Sequence, residues 1–227
     1  GSSDLVVGIK GTTDSITLQY YFDGSQAYQL DAIEFNDGTV WTHNDIMHHL
    51  QQPPALTGTQ AMLGNSTEDV TYTLSATDLL QGFTDFNGDV LSVVNLTATN
   101  GDLSDNQDGT YTFTPNANFY GTVNLNYQVS DGQGGVIDAN NSFLINATPV
   151  VKNEFVSTES GSSVTVNVLS NDIDPDGSIL VLANASVVSG LGAVLINTDQ
   201  TLSFTPNQGY VGDAKIAYTV MDGLSAT

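Results

Sequence analysis

The stretch Asn171-Asp-Ile-Asp-Pro-Asp-Gly177 sets three carboxylates, Asp172, Asp174 and Asp176, at alternate positions beside a proline and a glycine. A turn of that kind directs oxygens toward one point, and a set of oxygen donors suits a hard cation. Calcium accepts six to eight such ligands in irregular geometry, whereas magnesium demands a near-octahedron; calcium is therefore the favoured ion. Earlier in the chain, Asp85-Phe-Asn-Gly-Asp89 keeps the alternation through Asp85, Asn87 and Asp89, with Gly88 at the bend. The amide at Asn87 lowers the charge, which predicts a weaker hold on the ion. Asp, Asn and Gly also gather in exposed turns that bind nothing, because they accept the backbone angles and bond locally. The recurrence of the loop is what argues for a metal.

The composition narrows the partners. Twenty-five acidic residues face three lysines and no arginine, a formal charge of -22. Contacts to nucleic acid need clustered Lys and Arg, and anionic lipid needs the same, so neither partner is expected. A charge so far from zero repels itself in the compact state, and bound cations would relieve that. The chain has no cysteine, hence no disulfide framework and no thiol chemistry. No apolar run reaches the length of a membrane span, so no membrane insertion is expected.

The elements that must position the acidic loops read as strands. Leu5 to Ile9, Ser15 to Phe22, Tyr28 to Phe35 and Thr39 to Trp41 alternate apolar and polar residues, with turns at Lys10-Gly11 and Asp37-Gly38, a strand pattern. Asn44 to Leu50 predicts a helical turn or two. His43, His48 and His49 lie here, but His48 and His49 are adjacent and point apart on a helix, so a surface role outweighs a zinc site. This order of motifs, "D-S-I-T-L-Q-Y-Y-F" and "L-D-A-I-E-F-N-D-G-T-V-W-T" above all, resembles the haemolysin-type calcium-binding related region that accompanies RTX β-rolls. The glycine-rich nonapeptide of the roll is absent, so no roll site carries over.

Gln51-Gln-Pro-Pro-Ala55 reads as a linker. Beyond it come short strands at Val70–Leu74, Val90–Leu96, Thr110–Phe113, Val123–Val129 and Val136–Ile145, with Asn100-Gly101 and Asp108-Gly109 as hairpin turns. Such spacing predicts a β-sandwich. After Ala147-Thr-Pro149 the pattern restarts. The stretch from Thr110 through Asp131-Gly132 pairs with that from Thr201 through Asp222-Gly223, and ten of those 23 positions are identical. Phe113, Phe204, Tyr127 and Tyr218 are expected in the two cores, each tyrosine hydroxyl finding a partner.

"T-E-D", "D-x-N/D-G", "F-T-P-N-x-x-F/Y-x-G" and "Y-x-V-x-D-G" together resemble the bacterial cadherin-like repeat found in tandem in RTX-type adhesins. The resemblance implies an all-β chain: a small β region at 1–52, then two Ig/cadherin-like Greek-key sandwiches at 53–147 and 148–227, the second stopping before its last strand. It further implies that Asp174, Asp176 and Asp222 converge at one end of the second repeat, joined by Asn146 and faced by Glu68 across the linker. In the first repeat the matching set is Asp85, Asn87, Asp89 and Asp131. Asp172 and Glu159, the second copy's early glutamate, complete the candidate calcium ligands. Asn116-Ala-Asn118 stands where animal cadherins carry an Asp-Arg-Glu cluster, so one or two ions per junction are expected instead of three.

No nucleophile elbow, phosphate loop or carboxylate pair across a cleft is recognisable, and an enzyme is not expected. The sequence points to a calcium-rigidified, monomeric segment of a longer secreted or cell-surface bacterial adhesin, engaging an extracellular glycan or protein. The rival expectation is a calcium-dependent carbohydrate-binding module of a secreted polysaccharide-degrading system.

Overall fold

A computed structural model describes residues 5–8, 15–18, 32–34, 38–49 and 51–223. The chain divides into two compact units, 1–57 with 83–92 and 129–137, and 58–82 with 93–128 and 138–227.

In the first unit, β1 (Leu5–Gly8) pairs antiparallel with β2 (Ser15–Leu18), and β3 (Ala32–Glu34) with β4 (Val40–Thr42). The remainder of the strand expected over Tyr28–Phe35, the Lys10-Gly11 turn and Asp37 lie outside the described residues, while Gly38 bends the chain with a φ of 86° just before β4. Helix α1 (His43–His49) follows. It starts where it does because Thr42 and Asp45 cap it: the Asp45 carboxylate accepts from the Thr42 amide at 2.8 Å and its hydroxyl at 2.7 Å. The side chains of His48 and His49 lie outside the described residues. β5 (Ala55–Leu56) then pairs antiparallel with β8 (Phe83–Thr84).

The second unit holds the sandwich. β10 (Gly101–Asp105), β11 (Thr110–Pro115) and β7 (Tyr72–Ser75) form one sheet in the order β10-β11-β7. The other has the order β6-β13-β12-β9, built from β6 (Ser66–Thr67) and, within this unit, the 138–146 part of β13 (Val136–Asn146), the 121–128 part of β12 (Gly121–Ser130) and the 93–98 part of β9 (Ser92–Ala98). Along β12 the period of two is plain: Val123, Leu125 and Tyr127 are buried while Asn124 and Asn126 are exposed. The sheets meet through aromatics, with Tyr72 stacked on Phe143 at 4.5 Å and Phe113 edge-on to it at 5.4 Å. The Tyr127 hydroxyl donates to the Leu79 carbonyl at 2.8 Å, so burial leaves no polar group stranded.

The pattern repeats from residue 164. β14 (Val164–Val166), β17 (Leu202–Pro206) and β16 (Gly192–Ile196) form one sheet, β15 (Val181–Ser189) and β18 (Lys215–Met221) another. Val168, Leu182, Leu202 and Val220 make its buried core, with Tyr218 packed against it. Repetition extends to single hydrogen bonds. Asp108 Oδ1 accepts from the Thr110 hydroxyl at 2.6 Å and Asp199 Oδ1 from that of Thr201 at 2.7 Å. Asn106 donates to the Thr110 hydroxyl and Asn197 to that of Thr201.

Three expectations change. Asn100-Gly101 is not a hairpin: the chain crosses there from β9 in one sheet to β10 in the other, and position 101 admits only glycine because a Cβ there would collide with the Phe113 ring and the Thr114 carbonyl. Phe204 is only half-buried, whereas Phe113 is fully enclosed. The strand expected at Val70–Leu74 starts at Tyr72 and runs into a short helix, α2 (Ala76–Leu80), which Ser75 caps through its hydroxyl and Leu79 anchors in the core.

Candidate metal centres

Two acidic clusters form, one from each copy of the loop. The first lies wholly in the first unit. Asp85 begins the turn after β8, and its Oδ1 accepts from the amides of Asn87 at 2.7 Å and Asp89 at 3.2 Å. Gly88 takes the positive φ of 83° that closes the bend. Asp131, at the end of β12 and 3% exposed, does the same job for the 131–135 turn: its Oδ1 accepts from Gln133 at 2.8 Å and Gly135 at 2.9 Å. These bonds aim the second oxygens inward. Asp85, Asp89 and Asp131 each bring a carboxylate oxygen within 4.8 Å of the other two, the one such set of His, Cys, Asp and Glu among the described residues. Asp85 Oδ2 and Asp131 Oδ2 are buried and without hydrogen-bond partners. Two like charges at about 4.8 Å repel by about 3 kcal/mol at an effective dielectric near 20. A divalent cation removes that repulsion and supplies the absent partner, so the donor set fits calcium. The Asn87 side-chain oxygen points back instead, accepting from the Gln52 amide at 2.8 Å.

The second cluster lies in the second unit. Asp174 Oδ1 accepts from the Asp176 amide at 3.0 Å, and Gly177, φ 87°, closes the turn with its amide on the Asp174 carbonyl at 3.1 Å. Asp176 is drawn into two tasks: Oδ1 takes the Ser178 hydroxyl at 2.7 Å and Oδ2 the Ala147 amide at 3.1 Å. The next linker amide, Thr148, donates to Glu68 Oε1 at 2.7 Å, and the Glu68 amide in turn bonds the Asn146 carbonyl at 2.9 Å. Asn146, 1% exposed, donates through Nδ2 to Asp222 Oδ2 at 2.6 Å. Burial, then neighbouring Asp176 and Asp222, push the Asp174 carboxyl up from its ordinary value. Asp176 is pulled down, chiefly by the Ser178 hydroxyl. Asp174 Oδ2 is buried and unpartnered.

The two loops match as the shared D-x-N/D-G pattern aligns them. Asp174 takes the place of Asp85 and Asp176 of Asn87, since the two turns make the same i to i+2 and i+3 bonds; Ser178 then falls at the position of Asp89, although its amide bonds Asp176 Oδ1 where that of Asp89 bonds Asp85 Oδ1. The Ala147 amide bonds Asp176 as the Gln52 amide bonds Asn87. Asp172 therefore falls outside the turn, and its Oδ1 accepts from the Lys152 amide at 2.7 Å. Glu159 is exposed in the turn closed by the Ser162 amide on its carbonyl. The linker amides of Gln52, Ala147 and Thr148 carry no side-chain signal and escaped the sequence reading.

Residues 51–146 match the cadherin-like domain, 146–227 the bacterial Ig domain and 4–45 the haemolysin-type calcium binding protein related domain. Domains of the cadherin-like and Ig types are typically non-catalytic and extracellular or surface-exposed. No curated protein matches the chain. Among solved structures, an endo-fucoidan hydrolase of glycoside hydrolase family 107 is similar at 21% identity and TM-score 0.29 over 77% of this chain. The chain spans only 27% of that hydrolase's length. The protein SGBP-B of the Bacteroides ovatus mixed-linkage glucan utilization locus, in complex with a mixed-linkage heptasaccharide, is similar at 15% identity and TM-score 0.28, over 78% of this chain and 46% of its own. The Ig1-2 module of the Drosophila receptor protein tyrosine phosphatase DLAR follows at 10% identity and TM-score 0.25, over 77% of this chain and 94% of its own.

Proposed function

The chain being a run of tandem bacterial Ig- and cadherin-like repeats behind a haemolysin-type calcium-binding related region, we infer that it is a calcium-binding, calcium-stiffened segment of a secreted or cell-surface adhesin of the RTX type. Its working divisions are 1–52, 53–147 and 148–227. The observation that carries this reading is the convergence of Asp85, Asp89 and Asp131 with two buried carboxylate oxygens left unsatisfied. The ligands of the first repeat are Asp85, Asp89 and Asp131. Those of the second are Asp174, Asp176 and Asp222, with Glu68 and Asn146 tying the linker to them. Extracellular calcium modules bind at about 0.1 to 1 mM. At about 10 mM calcium each site then adds roughly 1.4 to 2.7 kcal/mol by mass action. Thermal melting at fixed ionic strength tests it: calcium raises the melting temperature and chelator lowers it, and equal melting in both overturns the reading.

A second reading, a carbohydrate-binding module, rests on a cleft of about 380 Å³ lined by Gln60, Asn124, Asn126, Asn140, Asn141 and Ser142. Amides and hydroxyls without charge suit a polyhydroxylated ligand. A glycan array probed with and without calcium decides for it if neutral glycans are retained.

A further inference from the structure

Asp172 belongs to neither loop set, and what surrounds it has no counterpart in the first repeat. Its side chain is 8% exposed; Oδ1 accepts from the Lys152 amide at 2.7 Å, and Oδ2 is buried with no hydrogen-bond partner. A second carboxylate, Glu154, lies in the extended segment after the linker, and its Oε1 is likewise buried and without partner. The Tyr218 hydroxyl joins them. It sits 3.1 Å from Glu154 Oε2 and 3.2 Å from the Lys152 carbonyl oxygen. Burial, the Asp172 charge and the Glu154 hydrogen bond together push this phenol well above the ordinary tyrosine range.

The matching positions of the first repeat show that the repeat architecture does not require this group. The Val150↔Ile173 bridge stands where Ala55 pairs with Thr84. In that register Asp172 corresponds to Phe83 and Glu154 to Thr59, while Tyr218 corresponds to Tyr127, which satisfies its hydroxyl on the Leu79 carbonyl. Two acidic side chains thus occupy positions that the first repeat fills with a phenylalanine and a threonine. A buried, unsatisfied carboxylate oxygen is destabilising, more so when charged. Such a pair persists where something binds it.

We propose that Glu154, Asp172, the Lys152 carbonyl and the Tyr218 hydroxyl form a separate site for one hard divalent cation of calcium type in the second repeat. Two carboxylates, a carbonyl and a hydroxyl supply oxygen donors only, and the two charges match the ion's. The bound ion fastens the extended 152–154 segment to β18 and to the bend before the 174–177 turn. The site shares no residue with either loop set.

Terbium, a hard ion of calcium-like size, gives sensitised emission when a tyrosine lies against it, and it serves as the probe alongside calcium counted by equilibrium dialysis. Glu154→Gln and Asp172→Asn each lower the bound calcium by one ion per chain and remove the tyrosine-excited emission that calcium competes away. Tyr218→Phe keeps the ion, weakened a few-fold, and loses that same emission. Asp131→Asn, which breaks the first loop set, leaves the Glu154-dependent ion in place, so failure of the loop sites and failure of this one are told apart. Circular dichroism checks folding; should Glu154→Gln not fold, Tyr218→Phe alone decides. Unchanged ion count and emission in Glu154→Gln, or unchanged emission in Tyr218→Phe, overturns the site. So does a Glu154→Gln variant that is stabilised in chelator with no ion lost.

Discussion

The two repeats carry the same frame and arrange their charges differently. In the first, the loop's amide position faces the preceding linker and the acids face one another: Asn87 takes the Gln52 amide while Asp85, Asp89 and Asp131 converge. In the second, the charge sits where the amide was, so Asp176 is spent on the Ala147 amide and Ser178 stands where Asp89 stood. Swapping a carboxylate between two positions of one turn decides whether the negative charges are already gathered or already occupied. The gathered set is the one whose mutual repulsion a bound cation would relieve most. The occupied set gives its oxygens to the linker first, and calcium must compete with those amides.

The cores differ in the same direction, and the largest expected effect lies there. Phe113→Ala removes an enclosed ring and is expected to destabilise by about 3 to 5 kcal/mol. Phe204→Ala, at the matching but half-buried position, is expected to lose roughly 1 to 2 kcal/mol. Calorimetric melting of the two variants checks the ratio, and equal losses would remove the distinction between the cores. Next in size, Asp131→Asn abolishes the first repeat's share of the calcium effect, roughly 1.4 to 2.7 kcal/mol at about 10 mM calcium. That is a shift of about 3 to 10 °C at about 2 to 4 °C per kcal/mol. The difference between melts in calcium and in chelator reads it; an undiminished difference would mean the gathered acids hold no ion.

Exchanging the distinguishing residue sharpens the comparison further. Ser178→Asp gives the second loop the acid the first has, and Asp89→Ser takes it away. By isothermal titration the former is expected to tighten, and the latter to weaken, calcium binding about five- to tenfold, the worth of about 1 to 1.4 kcal/mol of charge. If both variants titrate like the parent, position in the turn is irrelevant.

The smallest effect is expected where the repeats are alike. The threonine hydroxyl and amide lower the carboxyl of Asp108, and likewise that of Asp199. A depressed folded-state value means stability present above the unfolded value and lost as pH falls through the folded one. Asp108→Asn and Asp199→Asn are therefore expected to lower stability slightly and equally at neutral pH, and to lose that effect in acid. Both groups are exposed, so the shift is small and salt-sensitive. Melting curves from neutral to strongly acidic pH measure it, and a clear inequality between the two would show that the turns are not equivalent.

Much of this was legible in the chain itself. The period of two along Val123, Leu125 and Tyr127 states which face of β12 is buried, because side chains alternate across a strand whatever surrounds it. The Thr110 and Thr201 stretches announce two copies of one unit, and the acidic loop with its glycine announces a turn able to collect oxygens. Local geometry governs all three, and local geometry is written in neighbouring residues. Other features depended on what lies far away in sequence. Asn100-Gly101 has hairpin composition, yet the Phe113 ring beneath it and the sheet assignment of β10 make it a crossing. Asp172 alternates with Asp174 and Asp176 as a third loop acid should, yet the turn closes on Asp174, and Asp172 meets the Lys152 amide instead. Glu154 carried no motif at all and gained its place beside Tyr218 only through the fold. The sequence by itself determined the strand pattern, the repeat and the supply of oxygen donors. Which of those donors share a point in space follows from backbone hydrogen bonds between residues tens of positions apart: the family resemblance anticipated the set Asp85, Asp89 and Asp131, but no spacing along the chain brings Glu154 to Tyr218.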